Sequence, residues 1–322
     1  MRAVICTRYG PPEVLRLAEV EPPTPRRNQV CIRIFATTVT VSDCVVRGLK
    51  VPGRYRTLFR LVGGWTAPRR SILGIVLAGD VESIGRNVRS SKEGDRVFGM
   101  SRWKAGTYAE EVCWSASTLL APLPANLTYE EAAALPYGGL LAMHCLRKAK
   151  LQPGHRVLVY GASGAIGTAA VQLARHFGAV VTGVCSTTNL QLVESLGAEV
   201  VLDYTREDFT SRSQRYDFIF DAVGKRKSAV AMKDARRVLS PGGICTSIDD
   251  DFPMPTQQDL DLLKRLAESG ALKPVIDRRY RLEEIVEAHR YVELGHKKGN
   301  VIVTAASGPK LAGAKVSLDT RK

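Results

Sequence analysis

The spacing of apolar residues changes partway along the chain. Up to about residue 120 they fall in short segments broken by glycine and proline, at Gln29 to Phe35, Ile75 to Glu82, Asp95 to Gly99 and Gly106 to Cys113, and Met1 to Cys6 alternates like a further strand. Short strands at near-regular spacing with turn residues between them predict a barrel or sandwich. From Val157 the pattern becomes a continuous apolar run, Val157-Leu158-Val159-Tyr160, as a parallel strand buried on both faces requires. It leads through glycines into a helical pattern over Ala165 to Phe177. Strand and helix then alternate through Val180 to Cys185, Asn189 to Leu196, Val200 to Tyr204, Phe218 to Ala222, Ala229 to Leu239 and Ile244 to Ile248. That succession predicts an α/β fold with a doubly wound parallel sheet. A helix at Gln257 to Ser269, a strand near Pro274 to Asp277, a helix at Leu282 to Leu294 and a strand at Asn300 to Thr304 follow. The expected organisation is residues 1–120 as one domain, 121–270 as a nucleotide-binding domain, 271–306 returning to the first, and Ser307 to Lys322 as a disordered tail.

Composition narrows the class. With 322 residues, 45% of them apolar and 24% charged, the chain fits two ordinary globular domains, and no apolar run approaches the ~20 residues of a membrane span. The seven cysteines are scattered and odd in number. That is the pattern of buried thiols in a reducing compartment, not of a disulfide framework or zinc knuckle, and with no leader before the first strand it implies a cytoplasmic protein. The formal charge of +14 is spread over Arg26-Arg27, Arg54 to Arg70, Lys225 to Lys227, Arg278-Arg279 and the tail. Without a recognisable nucleic-acid module, it reads as a basic surface that suits a polyanionic cofactor.

The candidate chemistry begins at Tyr160-Gly161-Ala162-Ser163-Gly164-Ala165-Ile166-Gly167, between a buried strand and a helix. Gly161 allows the tight turn, Gly164 lets a diphosphate approach the backbone, and Gly167 lets the helix pack on the strand, while the N–H groups at Ala165 and Ile166 hold negative charge. At the end of the next strand, where an NAD site keeps an acid for the ribose, the chain has Ser186-Thr187-Thr188-Asn189. Hydroxyls and an amide there can donate to a 2′-phosphate, which points to NADPH, although no Arg or Lys accompanies them. The same residues also fit an N-cap for the helix beginning near Asn189.

These motifs, with Ala170 to Arg175, Gly178-Ala179, Ser195 to Ala198, Asp203-Tyr204, Gly94 to Val97, Pro124 to Leu127 and Lys273 to Asp277, resemble the quinone oxidoreductase-like branch of the medium-chain dehydrogenase/reductase superfamily over about residues 1 to 305. The resemblance implies a GroES-like β-barrel joined to a Rossmann-type domain, with the active cleft between them. It puts Tyr204 near the adenosine phosphate, a position that a plain strand-end aromatic also explains. It further implies that Asp221 to Gly224, Val223 among them, pass the cofactor, that Ser247-Ile248 lie near the nicotinamide, and that Asn300 is a polar position at the cleft.

The superfamily divides by metal. In the zinc-dependent branch a Cys stands where this chain has Thr40, three residues before Asp43, and His-Glu where it has Ile75-Val76 after Gly74. No Cys or His matches the third ligand near Tyr137-Gly138, and the four-cysteine loop is absent between Met100 and Tyr108. A catalytic zinc needs three protein ligands and a structural one four. The implied reaction is therefore zinc-free hydride donation from NADPH to a quinone or an α,β-unsaturated carbonyl. The product enolate or phenolate then needs hydrogen-bond stabilisation and a proton. Tyr55, in the loop Gly48 to Arg60, is the first candidate for that donor, or else a mobile surface tyrosine; Asp43 orients a loop and Tyr137 lines the pocket.

Only Asp249 to Thr256 separates the strand at Ile244 to Ile248 from the next helix, so about one helix and one strand of the usual sheet order are missing. In relatives that region helps to build the dimer contact, so its loss puts a homodimer in doubt and leaves a sheet edge to cover. The competing reading is an NADPH-binding protein without strong turnover, structural or nucleic-acid-associated.

Overall fold

In the computed structural model, which describes residues 1–305 except 52, 102 and 103 and the side chains of residues 54, 55 and 226, the first half of the chain is built on antiparallel pairs. Strand β1 (Arg2–Cys6) pairs with β2 (Leu15–Glu19). The long β3 (Gln29–Val39) is followed by helices α1 (Val41–Gly48) and α2 (Gly53–Gly63), then by β4 (Val76–Ile84), β5 (Arg96–Met100), β6 (Glu111–Ser115) and β7 (Leu119–Pro122). Helices α3 (Tyr129–Ala133) and α4 (Pro136–Lys148) lead out of this unit.

The second half alternates as its apolar pattern requires. In order come β8 (Arg156–Tyr160), α5 (Ala165–His176), β9 (Val180–Cys185), α6 (Leu190–Ser195), β10 (Val200–Asp203), β11 (Tyr216–Asp221), α7 (Lys225–Ser228) and β12 (Leu239–Ser247). Then follow α8 (Gln257–Glu268), β13 (Ile276–Arg281), α9 (Ile285–Leu294) and β14 (Asn300–Thr304). The five parallel strands lie in the order β10-β9-β8-β11-β12. This is the doubly wound order without its sixth strand, the shortening expected from the brief Asp249 to Thr256 link. Among the described residues no strand pairs with the outer edge of β12, and Ile244 on it is 41% exposed. The other sheet runs β13-β14-β3-β4-β5-β7, with β6 also on β3. Because β14 pairs with β3, the last described strand closes back onto the first unit.

Val157 and Val159 on one face of β8, and Leu158 and Tyr160 on the other, are all buried. The first pair belongs to a core shared by α4, α5, α8 and the antiparallel sheet through Ala36, Val76 and Phe98. That core fixes the two units against each other at the start of α5.

Three local expectations are corrected. The loop expected over Gly48 to Arg60 is largely α2, and α1 ends at Gly48. The helix expected over Ala229 to Leu239 is a set of turns ending in a 3₁₀ segment at Ala235–Val238. Its inward residues Met232, Ala235 and Val238 recur every three positions, the period of a 3₁₀ turn rather than of an α-helix. The strand near Pro274 to Asp277 starts at Ile276 and runs on to Arg281. The tail expectation for Ser307 to Lys322 lies outside the described residues.

Candidate active site

The carboxyl ends of the five parallel strands share one edge, and β8 lies between β9 and β11, where the order reverses. A crevice for a ligand opens at such a point. The chain leaves β8 through Gly161 at φ +79°, a conformation L side chains rarely adopt. A Cβ there would meet Val223 Cγ2 at 2.3 Å, so the loop after β11 closes down on the turn. Gly164 is the N-cap of α5, with φ −79° and ψ 176° and no side-chain cap. A Cβ on Gly164 would have only Gly161 O nearby, at 3.6 Å. The first-turn N–H groups at Ala165, Ile166 and Gly167 therefore face open space with the helix dipole behind them, the arrangement that holds a diphosphate. A Cβ on Gly167 would lie 2.1 Å from Gly161 O, which is how closely α5 sits on the turn.

The neighbouring segments build the walls. Gly299 N donates to Ser163 O at 2.8 Å, and Gly164 bridges Gly299, which ties the glycine loop to the lead-in of β14. Lys297 Nζ donates to Gly299 O at 2.6 Å, and desolvation pulls its ammonium down to about 8. Asn300, buried, donates to Val275 O from its backbone N at 2.8 Å and from Nδ2 at 3.1 Å, so its amide nitrogen is spent on that carbonyl. Asp221 organises the far side. Its Oδ1 accepts from Val223 N at 3.0 Å and Gly224 N at 3.1 Å, and its Oδ2 accepts from Ser228 Oγ at 2.6 Å and Ser247 Oγ at 2.8 Å. Ser247 thus gives its proton to Asp221, and Ile248, half-buried, follows it with its N–H on Asp221 O at 3.0 Å.

Asn189 Nδ2 donates to Ser163 Oγ at 3.2 Å and to Ser186 Oγ at 3.0 Å, linking the ends of β8 and β9. Its buried Oδ1 has no partner among the described residues. Thr187 Oγ1 donates to Asp203 Oδ2, and Thr205 donates to Oδ1 from N at 2.9 Å and from Oγ1 at 2.7 Å; these bonds, Thr187's first, hold the Asp203 carboxyl below the usual range. The expected donation from Thr187 to a phosphate is corrected here, because that proton goes to an acid sixteen residues further on. Among the described residues Ser186 and Thr188 keep hydroxyl protons with no protein acceptor. Arg206, largely exposed with Nε 3.7 Å from Asp203 Oδ2, is the cation missing from the sequence reading of this corner. Tyr204 is 49% exposed at the rim, its ring 6.2 Å from that of Tyr160. An unpartnered buried acceptor beside an open helix N-terminus fits a dinucleotide with its ribose hydroxyls.

On the barrel side, Thr40 and Asp43 form a capping box at the start of α1. Thr40 N and Oγ1 donate to Asp43 Oδ2 at 2.9 and 2.6 Å. Burial nevertheless pushes the Asp43 carboxyl up to about 6. Next to it, Ser42 Oγ and Tyr137 OH lie 3.0 Å apart. Tyr137 sits in the first turn of α4, and a Cβ on Gly138 would be 2.1 Å from Ala165 O, so the backbone next to this tyrosine packs on the start of α5. Burial pushes its hydroxyl up to about 12. The structure thus brings Asp43 and Tyr137 together and adds Ser42, which sequence reasoning missed. The side chain of Tyr55 lies outside the described residues. Ile75 and Val76 carry no ligating atom, and the Thr40 hydroxyl is spent on Asp43.

A carboxyl whose pKa in the folded chain exceeds its unfolded value of about 3.9 stabilises the fold at low pH and loses that contribution as pH rises from about 4 through about 6. Asp43→Asn keeps an acceptor for Thr40 N and removes the titration. Melting curves of the variant are expected to lack the wild-type decline over that window; an unchanged decline assigns it to other groups.

Two units meeting at a glycine loop and uncapped helix form the kind of cleft that holds a dinucleotide. The zinc-binding dehydrogenase family matches residues 165–265, a second family of the same description matches 248–303, and the alcohol dehydrogenase GroES-like domain matches 26–125. The chain is 34% identical over 319 residues to 2-methylene-furan-3-one reductase of Solanum lycopersicum and 31% identical to the chloroplastic NADPH-dependent alkenal/one oxidoreductase of Arabidopsis thaliana. Each alignment covers 94% of this chain and 79% of the relative. The quinone oxidoreductase of Coxiella burnetii superposes with a TM-score of 0.81 at 27% identity, covering 95% of this chain and 99% of that one. The chain belongs to the medium-chain dehydrogenase/reductase superfamily, in its quinone and alkenal oxidoreductase-like branch. It is an oxidoreductase with a nicotinamide cofactor.

Proposed function

We propose that this chain uses NADPH, without zinc, to reduce α,β-unsaturated carbonyl compounds or quinones. The observation that carries the reading is the Ser42–Tyr137 hydroxyl pair, on the turn of α4 whose Gly138 packs against the start of α5, where Thr40, Ile75 and Val76 offer no ligand set for a zinc that polarises a carbonyl. A bound nicotinamide supplies the hydride. The chain's own residues hold and orient it: the first turn of α5 takes the diphosphate, Asn189 Oδ1 accepts from a ribose hydroxyl, and Ser186, Thr188 and Arg206 face the adenosine 2′-phosphate. Tyr137, with its pKa pushed up to about 12, keeps its proton at every physiological pH. It donates that hydrogen bond to the substrate oxygen as negative charge builds there, and Ser42 orients it. The names of the plant relatives support this choice: that of the Arabidopsis thaliana protein specifies NADPH and alkenal/one substrates, and that of the Solanum lycopersicum protein a 2-methylene-furan-3-one. All seven cysteines are free, which suits a reducing compartment such as the cytoplasm, and no helix among the described residues is long and apolar enough to cross a membrane.

The test is oxidation of NADPH by EDTA-treated protein offered an alkenal panel and a quinone panel, with NADH in parallel. Turnover that prefers NADPH and ignores the chelator is expected. The shortened parallel sheet and the charge of +14 favour a second reading, a nicotinamide-binding protein without turnover; NADPH binding with every acceptor left unreduced selects it. Within the first reading, Tyr137→Phe is expected to lower kcat roughly 100-fold while NADPH affinity stays within about twofold. An unchanged kcat assigns the proton elsewhere.

A further inference from the structure

Away from the nucleotide cleft, on β3 and β6, Cys31 stands directly opposite Cys113 in an antiparallel ladder without a register shift. Ile34 N donates to Glu110 O at 2.7 Å and Ala116 N to Asn28 O at 3.0 Å, so the pairs at 28 and 34 are the hydrogen-bonded kind. The two kinds alternate, which makes Cys31 and Cys113 a non-hydrogen-bonded pair, with Cα atoms about 4.5 Å apart and side chains at their closest. A disulfide spans Cα separations of about 4.4–6.8 Å. Both thiols point the same way, each Sγ lying 3.6 Å from Pro23 O, and both are free.

The pair adjoins a cavity of about 500 Å³ that Cys113 lines. Arg26, Arg69, Arg70 and Lys104 also line it, against one carboxylate, Glu111. Among the described residues none of these four cations is held in an ion pair. Cys113 is partly exposed and Cys31 is 2% exposed, so a molecule in the cavity meets Cys113 first. A Cys31 thiol that donates toward the Cys113 sulfur lowers the Cys113 thiol, and the same pairing, with burial, raises the Cys31 thiol, which makes Cys113 the better attacking sulfur.

We propose that Cys31 and Cys113 form a dithiol that exchanges with anionic low-molecular-weight disulfides drawn into this basic cavity. The Cys113 thiolate attacks one sulfur of the incoming disulfide, forming a mixed disulfide and expelling the other half as a thiolate, which takes the proton Cys113 gave up. Cys31, losing its proton, attacks the Cys113 sulfur and expels the second half as a thiol. Two protein S–H bonds become one S–S bond, a two-electron oxidation, and the incoming disulfide is reduced to two thiols. The cations hold the carboxylates of the visitor near Cys113 and speed only the first step.

The experiment incubates the reduced full-length protein with glutathione disulfide and maps the products by mass spectrometry. Wild type is expected to lose two hydrogens and give a Cys31–Cys113 cross-linked peptide before Cys245, the other partly exposed cysteine, reacts. Cys31→Ser is expected to stop at one glutathionyl group on Cys113. The double charge reversal Arg69→Glu/Arg70→Glu is expected to slow the reaction with glutathione disulfide about tenfold or more and leave neutral hydroxyethyl disulfide unaffected. Reaction at Cys245 first, or no cross-link in wild type, overturns the dithiol; equal slowing with both disulfides overturns the anion preference.

Discussion

Gly164→Ala is expected to fold almost as wild type and to bind NADPH roughly 100-fold more weakly, because a methyl at this N-cap displaces the diphosphate by about 1 Å. The wild-type backbone there, φ −79° and ψ 176°, suits alanine, and the added Cβ meets only Gly161 O at 3.6 Å. The fold pays only the ordinary penalty of alanine at an N-cap, about 1 kcal/mol, which lowers the melting temperature by roughly 3 °C. Gly167→Ala is the contrast. Its Cβ falls 2.1 Å from Gly161 O, so the turn and α5 must separate, and thermal stability and binding are lost together. Calorimetric titration beside melting curves separates the two cases, and undiminished affinity in Gly164→Ala removes the diphosphate from the start of α5.

Arg47→Met carries the largest expected effect on stability. The Arg47 side chain is fully buried between α1 and α9. Its Nε donates to His289 Nδ1 at 3.3 Å and its Nη1 to Gly10 O at 2.5 Å, and its Nη2 pairs with Glu293. Burial, with Arg47 adding to it, pulls the His289 imidazole down to about 3, so the ring is neutral and can accept that bond. Removing the guanidinium strands a partly buried carboxylate and a carbonyl, a loss of about 3–5 kcal/mol that lowers the melting temperature by roughly 10 °C. A change of only a degree or two means that Lys50, also bonded to Glu293 at 2.7 Å, carries the ion pair alone.

The parallel sheet and its glycine loop were legible because each rests on local pattern. Val157 to Tyr160 must be buried on both faces, Gly161 and Gly167 each meet a steric demand of the fold, and Gly164 leaves the space in front of the helix start open, as the motif encodes. Even the missing sixth strand was visible, as too few residues between Ser247 and Gln257. Helix α4 escaped because Pro136, Gly138 and Gly139 look like turn residues. They are there for packing, Gly138 against Ala165 O and Gly139 against Leu263 at 2.6 Å. Helix α1 did leave a signal, the capping box of Thr40 and Asp43, but read against a zinc-ligand pattern those residues looked like part of a loop. Ser42 left none, since its meaning depends on a tyrosine 95 residues away. The same holds for Thr187, whose proton is claimed by Asp203 from the next strand.

The most direct test of the proposed chemistry uses NADPH carrying deuterium at the transferable position of the nicotinamide, supplied with an alkenal to the chelator-treated protein. The account predicts a saturated aldehyde with one deuterium on the carbon β to the carbonyl and a solvent-derived proton on the α-carbon. Bound NADPH that is oxidised by no alkenal and no quinone contradicts it.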